Sequence, residues 1–155
     1  MQRLLQKGIW MYKPAGILFN FTSVKVQHLL LRIKLFGWLA LIIYGCLSPA
    51  TALPKVPLFI VPHFDKIVHF ILFLGLGLLL IRYFFEIYRM KTHHAVILGF
   101  SITLIVAIAT EVLQNILPIH RDSDFLDFLA DFGGIATSIV IFRFLNSYKW
   151  FKTLV

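Results

Sequence analysis

The sequence has little cysteine and little charge, and both shortages narrow the class of protein. Its 155 residues include one cysteine, Cys46, so no internal disulfide can form and no cysteine pair is there to bind a metal. Charged residues make up 14% of the chain, whereas soluble domains have about 25%. Hydrophobic residues make up 59%, whereas soluble domains have about 45–50%. These proportions predict an integral membrane protein, and the length predicts a single domain.

Acidic residues are scarcer than basic ones, which leaves a formal net charge of +8. A strongly basic chain is typical of nucleic-acid-binding proteins when its cations form a patch or a stripe. In this sequence the lysines and arginines flank the apolar runs, as membrane topology requires, and form no stripe on a polar face. We therefore expect no nucleic-acid partner.

Four apolar segments are long enough to cross a bilayer, for which a helix needs about 20 residues. They lie at about 29–47, 67–85, 94–117 and 125–145. The predicted fold class is therefore all-α, an integral membrane four-helix bundle.

The N-terminal part of the chain has two interpretations. The basic residues Arg32 and Lys34, the apolar run after them and the small residues ATA at 50–52 are similar to a signal peptide with its cleavage site. However, this basic region begins about thirty residues into the chain, which is too deep for a signal peptide, so an uncleaved helix is favoured. Residues 1–28 are then expected to form a cytoplasmic or interfacial arm, and residues 29–147 the transmembrane domain.

The distribution of lysine and arginine predicts the orientation. Twelve of these fifteen residues lie in the N-terminal segment, in the loop between the second and third spans, and at the C-terminus. Since cytoplasmic loops carry the excess of lysine and arginine, both termini are expected to be cytoplasmic.

This orientation places most of the acidic residues on the outer side of the membrane. The stretch ATEVLQNILPIHRDSDFLDFLAD, residues 109–131, alone contains five of the seven acids. Glu86 is the one acid expected on the inner side. The outer acids are Asp65, Glu111, Asp122, Asp124, Asp127 and Asp131.

The depth of two of these acids predicts a shared polar pocket. Glu111 and Asp131 each lie about 10 Å from the outer end of their helices. A carboxylate that faces lipid at this depth costs on the order of 2–3 kcal/mol. Both side chains are therefore expected to face inward, towards each other and towards Lys66, His69 and Arg121.

Helical spacing puts the polar residues of each span on one face. Two aspartates four residues apart repel each other, so a bound cation, Arg121 or a shared proton must relieve the repulsion. The pairs that share a face are Asp65 with His69, Glu111 with Gln114, and Asp127 with Asp131.

The order of these motifs resembles that of the VanZ-like membrane protein family. The matching residues are DKIVHF at 65–70, EVLQ at 111–114, Pro118, Arg121, and DFLADFGG at 127–134. The family's pattern is Asp-Lys-x-x-His, then Glu-x-x-Gln, Pro, Arg, and Asp-x-x-Ala-Asn-x-x-Gly. The resemblance extends over about residues 44–140.

The resemblance implies a multi-pass protein of the bacterial cytoplasmic (inner) membrane with a role in the cell envelope. The family is named for its association with resistance to teicoplanin, a lipoglycopeptide antibiotic, and no settled reaction comes with the name. One residue departs from the pattern, since Asp131 stands where the family usually has asparagine. This change adds a potential negative charge to the pocket.

Two classes of function remain open from the sequence. In the favoured one, the pocket binds an anionic lipid head group or a lipid-linked envelope precursor and so affects glycopeptide susceptibility. Arginine binds phosphate or carboxylate with two hydrogen bonds, which suits Arg121 to such a ligand. The expected ligand-binding residues are Lys66, Gln114, Arg121, Asp127 and Asp131.

In the second class, the protein is an enzyme in which His69, with Glu111 or Asp65, supplies acid–base catalysis on a lipid head group. Each of these residues also has a structural interpretation: Asp65 as a helix N-cap, and His69 and Glu111 as a pair that holds helices together. Proton-coupled transport is less favoured, because four short helices leave little room for alternating access without oligomerisation.

The sequence predicts no cofactor. Among the outer residues, His69, Glu111, Asp127 and Asp131 offer nitrogen and oxygen ligands that would suit a divalent cation. However, no local His-x-x-x-His motif or cysteine pair anchors such an ion, so no metal is assigned. The expected partners are membrane lipids or the lipid-linked precursor, and a homo-oligomer is left open.

Overall fold

The computed structural model describes residues 14–49, 63–117 and 125–146. It contains four α-helices: α1 at Pro14–Leu47, α2 at Phe64–Glu86, α3 at Thr92–Ile116 and α4 at Phe125–Leu145. The helices pack together, and each is long and apolar enough to span a membrane. The prediction of an all-α, four-span integral membrane protein is thus confirmed, whereas the orientation of the termini remains a prediction.

The first helix is longer than the sequence suggests. An arm is expected over residues 1–28, but residues 14–28 form the beginning of α1. Pro14 is the first helical residue, where a missing N–H costs nothing, and no proline interrupts the chain again until Pro49. The part of α1 that is apolar enough to cross a membrane is Val24–Leu47.

The connection between α2 and α3 is a tight turn of residues 87–91. The Ile87 N–H donates to the Tyr83 carbonyl at 3.0 Å, and the Met90 N–H donates to the Phe84 carbonyl at 3.3 Å. Arg89 adopts a left-handed backbone conformation, with φ of 54°. Because so short a connection makes neighbouring helices antiparallel, the beginning of α2 lies beside the end of α3.

Helix α2 occupies the centre of the bundle and packs against each of the other three helices, most extensively against α4. Large side chains of α2 such as Phe73, Leu76 and Ile81 are fully buried. Phe73 and Leu76 share one core cluster with Ile42 of α1 and Ile135 of α4. The polar residues near the beginning of α2 are therefore held against several neighbouring helices.

Helix α4 approaches α2 closely at Gly134. A Cβ atom at this position would overlap the Phe70 carbonyl oxygen and lie 2.9 Å from the Leu74 nitrogen, so α4 touches the backbone of α2. Further along the same interface, a Cβ on Gly77 would overlap Ser138. Small residues at these contacts are typical of membrane helices, which associate through close packing.

Helix α1 is attached to α2 through a tryptophan. The Trp38 indole N–H donates to the Leu72 carbonyl at 2.7 Å, and the ring covers Gly75, where a Cβ atom would collide with it. A buried indole usually finds such a partner for its N–H.

The outer surface of the bundle is apolar. Phe36, Ile105 and Phe144, on three different helices, are each about two-thirds exposed or more. In water such side chains would form an aggregation-prone surface, whereas in a bilayer they contact lipid. Polar side chains buried inside the same bundle therefore require partners within the protein.

Candidate functional site

The polar residues predicted from the sequence gather at one end of the bundle, where α1 and α3 end and α2 and α4 begin. We call this the site end. The residues there that the structure describes form the polar site, and they come from three helices. They are Asp65, Lys66 and His69 of α2, Glu111 and Gln114 of α3, and Asp127 and Asp131 of α4.

Nearest the site end, a lysine of α2 is paired with an aspartate of α4. The Lys66 ammonium nitrogen lies 2.8 Å from Asp127 Oδ1 and 3.3 Å from Asp65 Oδ2. The Lys66 and Asp127 side chains are 17% and 10% exposed, so this pair is shielded from most of the surrounding solvent. The ion pair connects the first turns of α2 and α4.

One turn deeper, a histidine of α2 is paired with a second aspartate of α4. His69 Nδ1 and Asp131 Oδ1 lie 3.0 Å apart, a distance at which an imidazole N–H donates to a carboxylate. The two side chains are 3% and 0% exposed. Since His69 follows Lys66 by three residues and Asp131 follows Asp127 by four, both pairs lie on the facing sides of the same two helices.

The glutamine of α3 connects the polar site to α1. The Gln114 Nε2 amide donates to the Cys46 backbone carbonyl at 2.9 Å. This carbonyl belongs to the last turn of α1, whose C=O groups have no partner within the helix. This hydrogen bond joins α3 to the end of α1.

The glutamate of α3 lies close to the deeper pair. Glu111, His69 and Asp131 each offer one ligand atom, and these three atoms lie within 4.8 Å of one another. The prediction that Glu111 and Asp131 face inward agrees with this arrangement.

The pairing within the site differs in part from what spacing suggests. Asp65 and His69 share a helix face, yet Asp65 contacts Lys66, and Asp131 lies at hydrogen-bond distance from His69. The residue before α2 is His63, which makes no side-chain capping bond, so Asp65 belongs to the first helical turn and is not the N-cap. The sequence did not reveal these partners because they depend on how α2 and α4 face each other.

Several residues that the sequence assigns to the site or its border lie outside the described residues. Arg121 is the most important of them, since it is the expected anion ligand. The others are Pro118, Asp122 and Asp124.

Exposure decreases from the site end into the bundle. Asp65 has a side chain that is 47% exposed, the pair of Lys66 and Asp127 is mostly covered, and Asp131 is fully buried. Among the described residues, four carboxyl groups face one ammonium group and one imidazole. The arrangement can accept a polar group from the surface and favours a positively charged one in its interior.

Comparisons with known proteins add no assignment. No family model matches the chain, and searches of the curated proteins and of the solved structures found no match.

Proposed function

We propose that the protein is a VanZ-like membrane protein of the bacterial cell envelope, whose polar site binds the head group of a lipid or lipid-linked precursor. The observation that carries the proposal is the decreasing exposure from Asp65 through the Lys66–Asp127 pair to Asp131. A membrane-embedded polar site that opens at one end of an apolar bundle suits a ligand with a polar head and an apolar tail. Ionisable residues inside a membrane protein usually mark such a site.

The charges of the site narrow the class of head group. An anionic head group fits Lys66 and, by the sequence, Arg121, but it also meets the four carboxyl groups. A head group that carries both a negative and a positive charge fits the site better. Its negative group can pair with the basic residues, and its positive group, either its own ammonium or a bound cation, can pair with the carboxyl groups. If the ligand is a cell-wall precursor, its occupancy of this site alters how much of it a glycopeptide antibiotic can reach.

Native mass spectrometry of the full chain, purified gently with its own lipids, tests this proposal. Lys66→Ala removes a charge-assisted hydrogen bond worth about 1.5–3 kcal/mol, so lipid occupancy should fall at least about tenfold. Arg143→Ala is the matched control, because it removes an exposed cation from the last turn of α4 at the opposite end.

A specific lipid that is retained by wild type and by Arg143→Ala, and lost from Lys66→Ala, would support the proposal and identify the ligand. The same unselective lipids on all three proteins would contradict it. The polar residues would then serve only to hold the helices together.

A second function is favoured by one observation, the buried pair of His69 and Asp131. A carboxylate that accepts a hydrogen bond from an imidazole fixes the ring and supports acid–base catalysis. In this case Asp131→Asn should abolish conversion of the bound lipid while lipid occupancy persists. Mass spectra of the lipid before and after incubation with the protein detect such conversion.

A further inference from the structure

One nitrogen-bearing and two oxygen-bearing side chains converge inside the bundle. His69, Glu111 and Asp131 come from α2, α3 and α4, and one ligand atom of each lies within 4.8 Å of the other two. Two ligands of one ion at about 2.1 Å are themselves about 3.0–3.4 Å apart when they are adjacent. His69 Nδ1 and Asp131 Oδ1 already have this separation, 3.0 Å.

A second and independent observation is a buried oxygen atom that lacks a hydrogen bond. Among the described residues, Asp131 Oδ2 has no hydrogen-bond partner, although the side chain is fully buried. Within the same part of the chain, Gln114 Oε1, one helical turn beyond Glu111, is likewise buried without a hydrogen bond. Since a buried carboxylate oxygen normally has a partner, its isolation beside two further ligand groups points to a bound cation.

The charges of the polar site agree with this interpretation. Lys66 lies between Asp65 and Asp127 near the site end, at 3.3 and 2.8 Å. The deeper carboxyl group of Asp131 is paired with the imidazole of His69. A divalent ion in contact with His69, Glu111 and Asp131 would place positive charge beside the fully buried Asp131 carboxylate, which is costly to hold in an apolar bundle.

We infer that His69, Glu111 and Asp131 together bind one divalent transition-metal ion of the Zn²⁺ or Mn²⁺ type. One nitrogen and two carboxylate oxygens suit such ions better than Ca²⁺, which takes six to eight oxygens. Three protein ligands leave at least one coordination position open, as is typical of sites where a metal meets a water or a substrate. The inference does not depend on head-group binding, although the open position would suit a phosphate oxygen.

Metal analysis of the full chain tests the inference without any lipid ligand. The protein should be purified in detergent through a tag that contains no histidine, stripped with a chelator, and titrated with Zn²⁺, Mn²⁺ and Co²⁺. We expect binding of about one ion per chain, and with Co²⁺ the visible absorption of a site with nitrogen and oxygen ligands.

Two variants locate the site, and one matched variant serves as control. Asp131→Asn and His69→Gln should each weaken binding by about 100-fold, because each removes a ligand. Glu86→Gln also removes one carboxylate charge, but at the last residue of α2, about 25 Å along that helix from His69, so it should bind as wild type does. Thermal unfolding of each variant checks that it is folded.

Two results would overturn the inference. One is a wild-type protein that binds none of the three ions stoichiometrically. The other is a folded Asp131→Asn variant that binds as tightly as Glu86→Gln. Neither result bears on lipid occupancy in native mass spectra, so failure of the metal site is distinguishable from failure of the proposed function.

Discussion

Replacing Gly134 by alanine should lower the stability of the bundle by about 1–3 kcal/mol, the usual effect of overpacking a close contact. The added Cβ atom would overlap the Phe70 carbonyl oxygen and approach the Leu74 nitrogen, and both are backbone atoms that cannot rotate away. Relief requires α4 to move away from α2. Such a movement also disturbs the His69–Asp131 pair, because Asp131 precedes Gly134 by one turn on α4.

Gly133→Ala is the matched control, since it makes the same chemical change at the neighbouring residue. A Cβ atom there would lie 3.5 Å from the Phe70 ring, which is ordinary van der Waals contact. Alanine favours a helix over glycine by up to about 1 kcal/mol, so this variant should be as stable as wild type or more stable. Equal losses in both variants would contradict the close backbone contact.

The single cysteine provides the measurement. Cys46 is buried in the last turn of α1, so its thiol reacts with a fluorogenic maleimide only when the bundle opens. Melting curves recorded with this reagent compare the unfolding of wild type and each glycine variant without a further label.

Replacing His69 by leucine should destabilise the protein by about 3–5 kcal/mol in a chelator-containing buffer, which excludes any contribution from a metal. Removal of one member of a buried charged pair leaves the other without compensation. Asp131 is fully buried, and its second oxygen has no hydrogen bond to any residue that the structure describes, so its carboxylate would be left in an apolar interior. His94→Leu, at an exposed position at the beginning of α3, should change stability by less than about 0.5 kcal/mol.

The double variant His69→Leu with Asp131→Leu distinguishes two causes of the lost stability. One is the unpaired Asp131 carboxylate, and the other is the loss of the histidine side chain itself. Replacement of both members of a buried pair by apolar residues is often close to neutral, so the double variant should recover more than about half of the loss. A double variant that is less stable than His69→Leu alone would show that the two side chains do not depend on each other.

The helices could be predicted from the sequence, because hydrophobic length alone identifies a membrane span. The last three helices differ from their predicted ends by at most three residues. The first helix differs more, since residues 14–28 carry no apolar periodicity and yet continue the helix from Pro14. Nothing in their pattern distinguishes a helix that extends beyond the membrane from a separate arm.

The membership of the polar site could also be predicted, but its pairing could not. Depth along each helix and the cost of a lipid-facing carboxylate indicate that Glu111 and Asp131 turn inward. The choice of Asp131 as the partner of His69 depends on the rotation of α4 against α2, which Gly134 fixes by permitting backbone contact. The hydrogen bond from Gln114 to Cys46 was missed because the acceptor is a backbone carbonyl, which every residue offers.

An envelope function depends most directly on the polar site opening at the outer side of the membrane. Asp65 is the most exposed residue of the site, and Thr92 is exposed at the opposite end of the bundle. In a Cys46→Ala background, Asp65→Cys and Thr92→Cys can be treated in intact cells with a membrane-impermeant maleimide. We expect Asp65→Cys to react in intact cells and Thr92→Cys to react only after permeabilisation; the reverse pattern would place the site on the cytoplasmic side and contradict the account.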